Sequence, residues 1–331
     1  MRAVVCHAYG DYRELKVEEF PPARLGPGQV RIAVELASVS FALKLWISGQ
    51  YQHKVPLPFV PGTELVGRVI EVGDGVSHVA KGQRVLAIVE SGGWGEHCVT
   101  RADTVYPIPD ALESGAALHL GISYGTAYGA LHWRARLQPG ETLLVLAAAG
   151  AVGLAAVELG ALHGAKVIAA AGSAEKCAVA AAHGAGTTID YTKQDLRSVG
   201  KTDVVFDPVG GPSAESAMRT LSAGGRHVII GFASGQLPSF AANILLVKNV
   251  SVAGFNFGAY VGWSADDQRA RHAPLLRETY ARLFAWAVEG RLKPQLSRTW
   301  PLEEFAAAMD ALQSRGSQGK LALRIAPGGT P

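Results

Sequence analysis

The chain has 331 residues, of which 48% are hydrophobic and 18% charged, and its formal net charge is +3. This length predicts roughly two domains, and the apolar content excludes an intrinsically disordered chain. The basic residues are scattered, which argues against a nucleic-acid-binding surface, and the three cysteines, Cys6, Cys98 and Cys177, are too few and too far apart for a disulfide framework or a cysteine-rich zinc lobe.

The N-terminal residues alternate as a strand does and do not resemble a signal peptide. The longest apolar stretch, residues 143–157, is too short and too rich in glycine for a membrane span. Widely spaced cysteines are typical of a reducing compartment. We therefore expect a soluble, cytoplasmic protein with neither a membrane nor a nucleic acid as partner.

Residues 1 to about 120 read as short strands separated by turns. Apolar and polar residues alternate along residues 29–36, as in a half-buried strand. Residues 64–72 and 85–89 are further strand candidates, and a Gly-Asp-Gly turn follows the first of these two. The pattern predicts a β-rich module.

From about residue 121 apolar runs alternate with helical segments, which predicts βαβ units and a doubly wound parallel sheet. Helices are expected at residues 152–162 and 174–183. The strand candidates are residues 142–147, 166–171, 187–190, 203–207, 226–231 and 250–255. After residue 262 the pattern predicts a long helix near residues 275–289, a helix at 303–314 and a strand at 320–325.

The most informative segment is the loop at residues 147–153. A hydrophobic strand enters a turn of small residues, and an apolar helix leaves it. Small residues let the backbone approach a pyrophosphate and let the helix pack closely on the strand, and the helix N-terminus offers N–H groups to the anion. Ala147 stands where a glycine fingerprint begins with glycine. The loop predicts a Rossmann dinucleotide site formed by Ala149, Gly150, Ala151, Val152 and Gly153.

The end of the next strand indicates which dinucleotide binds. An acidic residue there would bind the ribose of NAD. This chain instead has Ser173 and Lys176, which suit a ribose phosphate, while Glu175 is expected to lie on a helix and point away. The predicted cofactor is NADPH.

Several stretches together resemble the zinc-less quinone oxidoreductase branch of the medium-chain dehydrogenase/reductase superfamily. They are residues 51–52, 56–64, 124–128, 147–153, 207–211 and 231–233, in that order and spacing. The resemblance covers essentially the whole chain. It implies a GroES-like catalytic domain made of residues 1–121 and a return segment at 263–331, a Rossmann NADPH-binding domain at 122–262, and a homodimer formed through the nucleotide-binding domains.

The resemblance also implies roles for single residues. Thr126 matches a threonine near the nicotinamide carboxamide. Positions around the adenosine phosphate correspond to Lys176, Tyr191 and Arg315. Segments lining the nicotinamide cleft correspond to Gly231, Phe232, Phe255 and Lys320.

Two departures from related sequences affect the expected chemistry. Zinc-dependent relatives carry Gly-His-Glu where this chain has Gly62-Thr63-Glu64, and no cysteine occupies the first ligand position, so we predict no metal. Quinone reductases of this type read similarly to Val-Asn-Phe-x-Asp where this chain has Ser40 in place of the asparagine and Leu43 in place of the acid. The substrate is therefore open.

The sequence predicts an NADPH-dependent oxidoreductase that transfers hydride to a small-molecule quinone or α,β-unsaturated carbonyl without zinc. Negative charge develops on an oxygen in both reactions, so a hydrogen-bond donor should help. Tyr51 and Ser40 are the candidate catalytic donors. Two alternatives are an enoyl-thioester reductase acting on acyl-CoA and a non-catalytic NADPH-binding protein.

Overall fold

A computed structural model of the chain describes residues 1–314 and 317–325. Its contacts divide the chain into two compact units. Of the described residues, the first unit contains 1–122, 258–290, 294–314 and 317–325, and the second contains 123–257 and 291–293. No helix within the described ranges combines the length and the apolar character needed to cross a membrane.

The described strands, in chain order, are β1 (Arg2–Val5), β2 (Lys16–Glu19), β3 (Gln29–Val39), β4 (Glu64–Val72), β5 (Arg84–Ile88), β6 (His97–Arg101), β7 (Val105–Pro107), β8 (Thr142–Val145), β9 (Lys166–Ala171), β10 (Thr187–Asp190), β11 (Thr202–Asp207), β12 (Leu221–Ile229), β13 (Ser251–Gly254), β14 (Leu296–Pro301) and β15 (Lys320–Arg324). The described α-helices are α1 (Phe41–Ile47), α2 (Ser114–His119), α3 (Gly125–Tyr128), α4 (Ala151–Leu162), α5 (Ala174–Ala182), α6 (Gly211–Met218), α7 (Ala242–Lys248), α8 (Arg269–Val288) and α9 (Phe305–Gln313).

The first unit is built on a seven-stranded sheet. Its strands follow the order β14-β15-β3-β4-β5-β7, and β6 also pairs with β3. The last strand of the described chain, β15, lies antiparallel to β3, with Leu321 opposite Val39. The C-terminal segment therefore completes the sheet that the N-terminal third of the chain begins.

The second unit has a six-stranded parallel sheet in the order β10-β9-β8-β11-β12-β13. Numbered from the start of the unit, this is the order 3-2-1-4-5-6 of a Rossmann fold. The predicted fold class, a doubly wound α/β domain together with a β-rich domain, is confirmed. Since all six strands are parallel, the loops after their carboxyl ends share one edge of the sheet.

Most predicted elements occur close to their expected bounds. Helices α1 and α2 fall inside the module expected to consist of short strands and turns, because six or seven residues are too few to show a clear helical period. Strand β12 begins at Leu221 rather than 226, and α8 begins at Arg269 rather than near 275. Arg269 hydrogen-bonds to Asp267 and Glu90, which anchors the first turn of α8 ahead of Pro274.

Helix α4 packs unusually closely on the strand before it. A Cβ added at Gly153 would lie 2.3 Å from the carbonyl oxygen of Ala147, and one added at Gly160 would lie 2.6 Å from Leu143. Both glycines therefore let the helix approach β8 and its loop more closely than any side chain would permit. A polar network also holds the middle of α4, where buried Glu158 contacts His183 and accepts hydrogen bonds from the Tyr124 hydroxyl and the Lys293 N–H.

The close contact at Gly153 generates a stability prediction. We expect Gly153→Ala to lower the free energy of unfolding by about 1–3 kcal/mol, because the added methyl group must displace backbone atoms, even though alanine is the better helix former. The measurement is urea unfolding followed by circular dichroism.

The matched control is Gly150→Ala, three residues earlier, where the added Cβ would make an ordinary 3.4 Å contact with Ala147. We expect this variant to stay within about 1 kcal/mol of the wild type. An equal decrease in the free energy of unfolding in the two variants would contradict the proposed close contact at Gly153.

Candidate functional site

The loop after β8 is held by backbone hydrogen bonds to both neighbouring strands. The N–H of Leu146 donates to Phe206 on β11, and the N–H of Ala148 donates to Ala170 on β9, each at 3.0 Å. The chain then turns with Ala147 at φ 49°, in the left-handed region that favours glycine. A glycine fingerprint has glycine at this position, and the structure gives alanine the same backbone conformation.

Helix α4 begins immediately after this loop, with Gly150 as its N-cap. No side chain caps the helix at Gly150. The first turn of any helix presents N–H groups that lack intrahelical partners and carry a partial positive charge. The predicted residues Ala149, Gly150, Ala151, Val152 and Gly153 thus lie together where the backbone can bind an anion.

A second group of predicted residues surrounds the end of β9. Ser173 is the N-cap of α5, and its hydroxyl accepts the N–H of Lys176 at 3.2 Å. The ring of Tyr191 lies over Gly172, because a Cβ added at that glycine would be 2.8 Å from the tyrosine hydroxyl. Tyr191 is 43% exposed, so its ring remains accessible beside the glycine.

Two acidic residues, Glu175 and Asp190, lie near this end of β9. Glu175 is exposed in the first turn of α5. Asp190 lies at the end of the neighbouring strand β10, where hydrogen bonds from Thr192 lower the pKa of its carboxyl group. The residues that follow β9 include the Ser173 hydroxyl and, in the first turn of α5, Lys176.

The remaining cofactor candidates occupy varied surroundings. Thr126 is buried in α3, and Phe255 is buried against Gly129, where an added Cβ would lie 2.3 Å from the phenylalanine ring. Gly231 follows β12, and Phe232 is 42% exposed beside Gly210. Arg315 lies outside the described residues.

In the first unit the two candidate catalytic donors flank α1. Ser40 is the N-cap of α1 and makes no side-chain capping hydrogen bond. Tyr51 follows the helix, and its ring stacks on Trp46 with the ring centres 4.8 Å apart. Burial raises the pKa of the Tyr51 hydroxyl, so the phenol keeps its proton and can act as a donor.

The residues at the departures from related sequences are packed inside the first unit. Leu43, which replaces an acid, is 1% exposed. Glu64 forms a buried ion pair with Lys320 and also accepts the N–H of Ile122. The ammonium group of Lys320, predicted to line the nicotinamide cleft, therefore pairs with the carboxylate that follows Thr63.

Across residues 1–314 and 317–325, no three histidine, cysteine or acidic side chains come together as metal ligands. The three cysteines are buried and not joined in disulfides.

Sequence reasoning missed two side-chain arrangements. The first is the stacking of Trp46 on Tyr51. Nothing in the sequence of this short helix indicated that contact. His227 on β12 contacts Asp207, which ends β11, with 2.8 Å between Nε2 and Oδ2. The one available signal was a histidine directly before the apolar residues Val228 and Ile229.

Comparisons with known proteins agree with this architecture. Residues 26–110 match the family described as "Alcohol dehydrogenase GroES-like domain", and residues 183–323 match that described as "Zinc-binding dehydrogenase". A quinone oxidoreductase-like protein 2 homolog of Nematostella vectensis is 40% identical over 97% of this chain and 88% of its own length. Quinone oxidoreductase-like protein 2 of Bos taurus is 40% identical over 95% of this chain and 90% of its own length.

Among solved structures, the Escherichia coli quinone oxidoreductase complexed with NADPH is similar throughout. It has a TM-score of 0.87 and 27% sequence identity, covering 98% of this chain and 100% of the other. The fold, the order of the parallel strands and the identity over nearly the whole length agree. The chain therefore belongs to the quinone oxidoreductase family of the medium-chain dehydrogenase/reductase superfamily.

Proposed function

We propose that this protein is an NADPH-dependent oxidoreductase that reduces a quinone or an α,β-unsaturated carbonyl compound. The observation that carries the proposal is the second unit's loop at residues 147–153, where Gly153 leaves no room for a Cβ. Such a loop brings backbone N–H groups against a pyrophosphate. The E. coli structure in complex with NADPH supports the choice of cofactor.

The residues around the end of β9 fit the phosphate that distinguishes NADPH from NADH. In this proposal Lys176 supplies positive charge and Ser173 a hydroxyl, while the exposed ring of Tyr191 borders the adenosine end. Strand β9 itself ends without an acidic residue, so no carboxylate of that strand repels a ribose phosphate. When bound, NADPH supplies the hydride.

The chain's own contribution to the reaction is to stabilise charge on the acceptor. Reducing a quinone or enone places negative charge on its oxygen, and a fixed donor lowers the free energy of that state. In this proposal Tyr51 donates from a phenol whose pKa is raised by burial, and Ser40 donates from a hydroxyl that makes no helix-capping hydrogen bond. Trp46 holds the Tyr51 ring by stacking.

An acceptor panel tests the function. We expect NADPH oxidation with quinones or simple enones and little with crotonyl-CoA. With alcohols as hydride donors, we expect no reduction of NADP⁺. We expect Tyr51→Phe and Ser40→Ala each to lower kcat/KM about tenfold or more, because each removes a hydrogen-bond donor to the developing oxyanion. Absorbance at the nicotinamide band measures the rate.

The control for Ser40→Ala is Ser48→Ala at the other end of α1, where the hydroxyl donates to Leu45 within the helix. Its activity should stay at the wild-type level. A clear preference for crotonyl-CoA would instead indicate an enoyl-thioester reductase. Silence with every acceptor despite NADPH binding would favour a non-catalytic NADPH-binding protein.

A cofactor titration tests the choice of NADPH. We expect Lys176→Ala to weaken NADPH binding about tenfold, because a charge-assisted hydrogen bond to the phosphate is lost, and to leave NADH binding unchanged. Nucleotide fluorescence gives both dissociation constants.

The matched control is Lys166→Ala, which removes the same charge at the opposite, exposed end of β9. This variant should bind both cofactors as the wild type does. Equal affinity of the wild-type protein for NADPH and NADH would rule out the assignment.

We also propose a cytoplasmic homodimer that pairs the second units of two copies. Strand β13 is the last strand of the parallel sheet, so within the described residues no further strand pairs with its outer edge. Helix α7 directly precedes this strand and exposes Leu246 by 77% and Val247 by 80%. Exposed aliphatic side chains beside a sheet edge are typical of a protein interface. The unpaired cysteines suit a reducing compartment.

Light scattering coupled to size-exclusion chromatography tests the dimer. The molar mass measured for the wild type should be twice that of one chain. The double variant Leu246→Glu, Val247→Glu should elute as a monomer, because burying two carboxylates in an apolar contact is unfavourable. Val288→Glu, at an exposed position of α8 in the first unit, should remain a dimer. A monomeric wild type would contradict the proposal.

A further inference from the structure

The second unit buries a histidine–carboxylate pair that the proposed chemistry does not use. Asp207 and His227 are both 0% exposed, and 2.8 Å separates Asp207 Oδ2 from His227 Nε2. The ring of Phe240 packs edge-on against the imidazole, with the ring centres 5.1 Å apart. Burying a carboxylate away from water is costly, so a complete set of hydrogen-bond donors is needed to stabilise it.

Those donors come from the loop that follows β11. The other oxygen of Asp207, Oδ1, accepts the N–H of Val209 at 2.8 Å and the N–H of Gly210 at 2.9 Å. The carboxylate therefore determines the direction in which the chain leaves the strand. His227, on the neighbouring strand β12, holds the remaining oxygen.

This loop is connected on both sides to segments assigned to the cofactor. The carbonyl of Phe206, the residue before Asp207, accepts a hydrogen bond from the N–H of Leu146, where the phosphate loop begins. On the other side, the N–H groups of Ala233 and Ser234 donate to Pro208 and Val209, each at 3.0 Å. The carboxylate thus lies behind a continuous run of loops along the carboxyl edge of the sheet, the edge at which dinucleotides bind.

We propose that His227 and Asp207 are positioning residues for the dinucleotide. His227 orients Asp207, Asp207 shapes the turn at residues 208–210, and that turn holds the segment beginning at Gly231 and Phe232. The pair acts through the backbone and does not itself touch the cofactor. The inference rests on the proposed NADPH site and adds to it the residues that keep two of its loops in place.

The hydrogen bonds assign one tautomer to His227. The Asp207 carboxylate accepts, so the proton must be on Nε2. The other nitrogen, Nδ1, is buried and has no partner within the described residues. An unpaired lone pair is tolerated there, whereas an N–H would be a buried donor without an acceptor. A nitrogen-15 spectrum of the histidines should show His227 protonated on Nε2 alone.

Cofactor binding is measured by NADPH fluorescence on the full-length protein. We expect His227→Phe to weaken NADPH binding about tenfold, since it keeps the ring volume and removes the donor. His227→Gln places an amide N–H near the position of Nε2 and should stay within about threefold of the wild type. Asp207→Asn keeps the acceptor for the turn but removes the acceptor for His227, so it should weaken binding as His227→Phe does.

The matched control is Thr202→Val at the amino end of the same strand. Thr202 is also 0% exposed, and its hydroxyl is hydrogen-bonded to that of Thr220 at 2.7 Å, on the opposite edge of the sheet from the cofactor loops. If the role of the pair were purely structural, removing any buried polar pair of β11 would weaken NADPH binding in proportion to the stability that is lost. We expect Thr202→Val to reduce the unfolding midpoint and to leave the NADPH dissociation constant within about twofold.

The outcomes separate this inference from the proposed function. If the wild type does not bind NADPH, both are overturned. If it binds and His227→Phe binds equally well, or Thr202→Val is impaired to the same extent, only the positioning role is overturned. Should His227→Phe fail to fold, Asp207→Asn decides by the same criterion. A wild-type spectrum with the proton on Nδ1 also overturns the proposed arrangement.

Discussion

The close contact between α4 and the loop after β8 is the constraint on which the second unit depends. Gly153 has no side chain, so the helix can lie very close to the turn. A methyl group at this position would overlap the carbonyl of Ala147. The helix can then begin directly beyond the carboxyl end of the central strand. Its N-terminal N–H groups face the same edge as the loops after β9, β11 and β12.

That placement makes the ends of the neighbouring strands chemically relevant. Strand β9 lies next to β8, so Ser173 and Lys176 come to the same edge as the phosphate loop. Strand β11 lies on the other side of β8, which brings Asp207 and its turn to that edge too. One helix-on-strand contact and a parallel strand order therefore bring together residues as far apart in the chain as Ala147 and Asp207.

Buried charges recur in both units, and each is compensated by several partners. Glu64 has Lys320 and a backbone N–H, Glu158 has His183, Tyr124 and a backbone N–H, and Asp207 has His227 and two backbone N–H groups. For Glu158 burial acts to raise the carboxyl pKa, but the hydrogen bonds outweigh it and the pKa is lowered. Removing one partner of such a group would leave an uncompensated buried charge, which is strongly destabilising.

The sequence by itself determined the fold class and the position of the small-residue turn between β8 and α4, because apolar periodicity and small residues are local properties that the chain shows directly. It also excluded an acid at the end of β9. Only the tertiary structure decided which distant side chains meet: the pairing of Lys320 with Glu64, the stacking of Tyr51 on Trp46, and the contact of His227 with Asp207. These contacts join separate strands and loops, and no local pattern encodes a partner that strand order alone brings near.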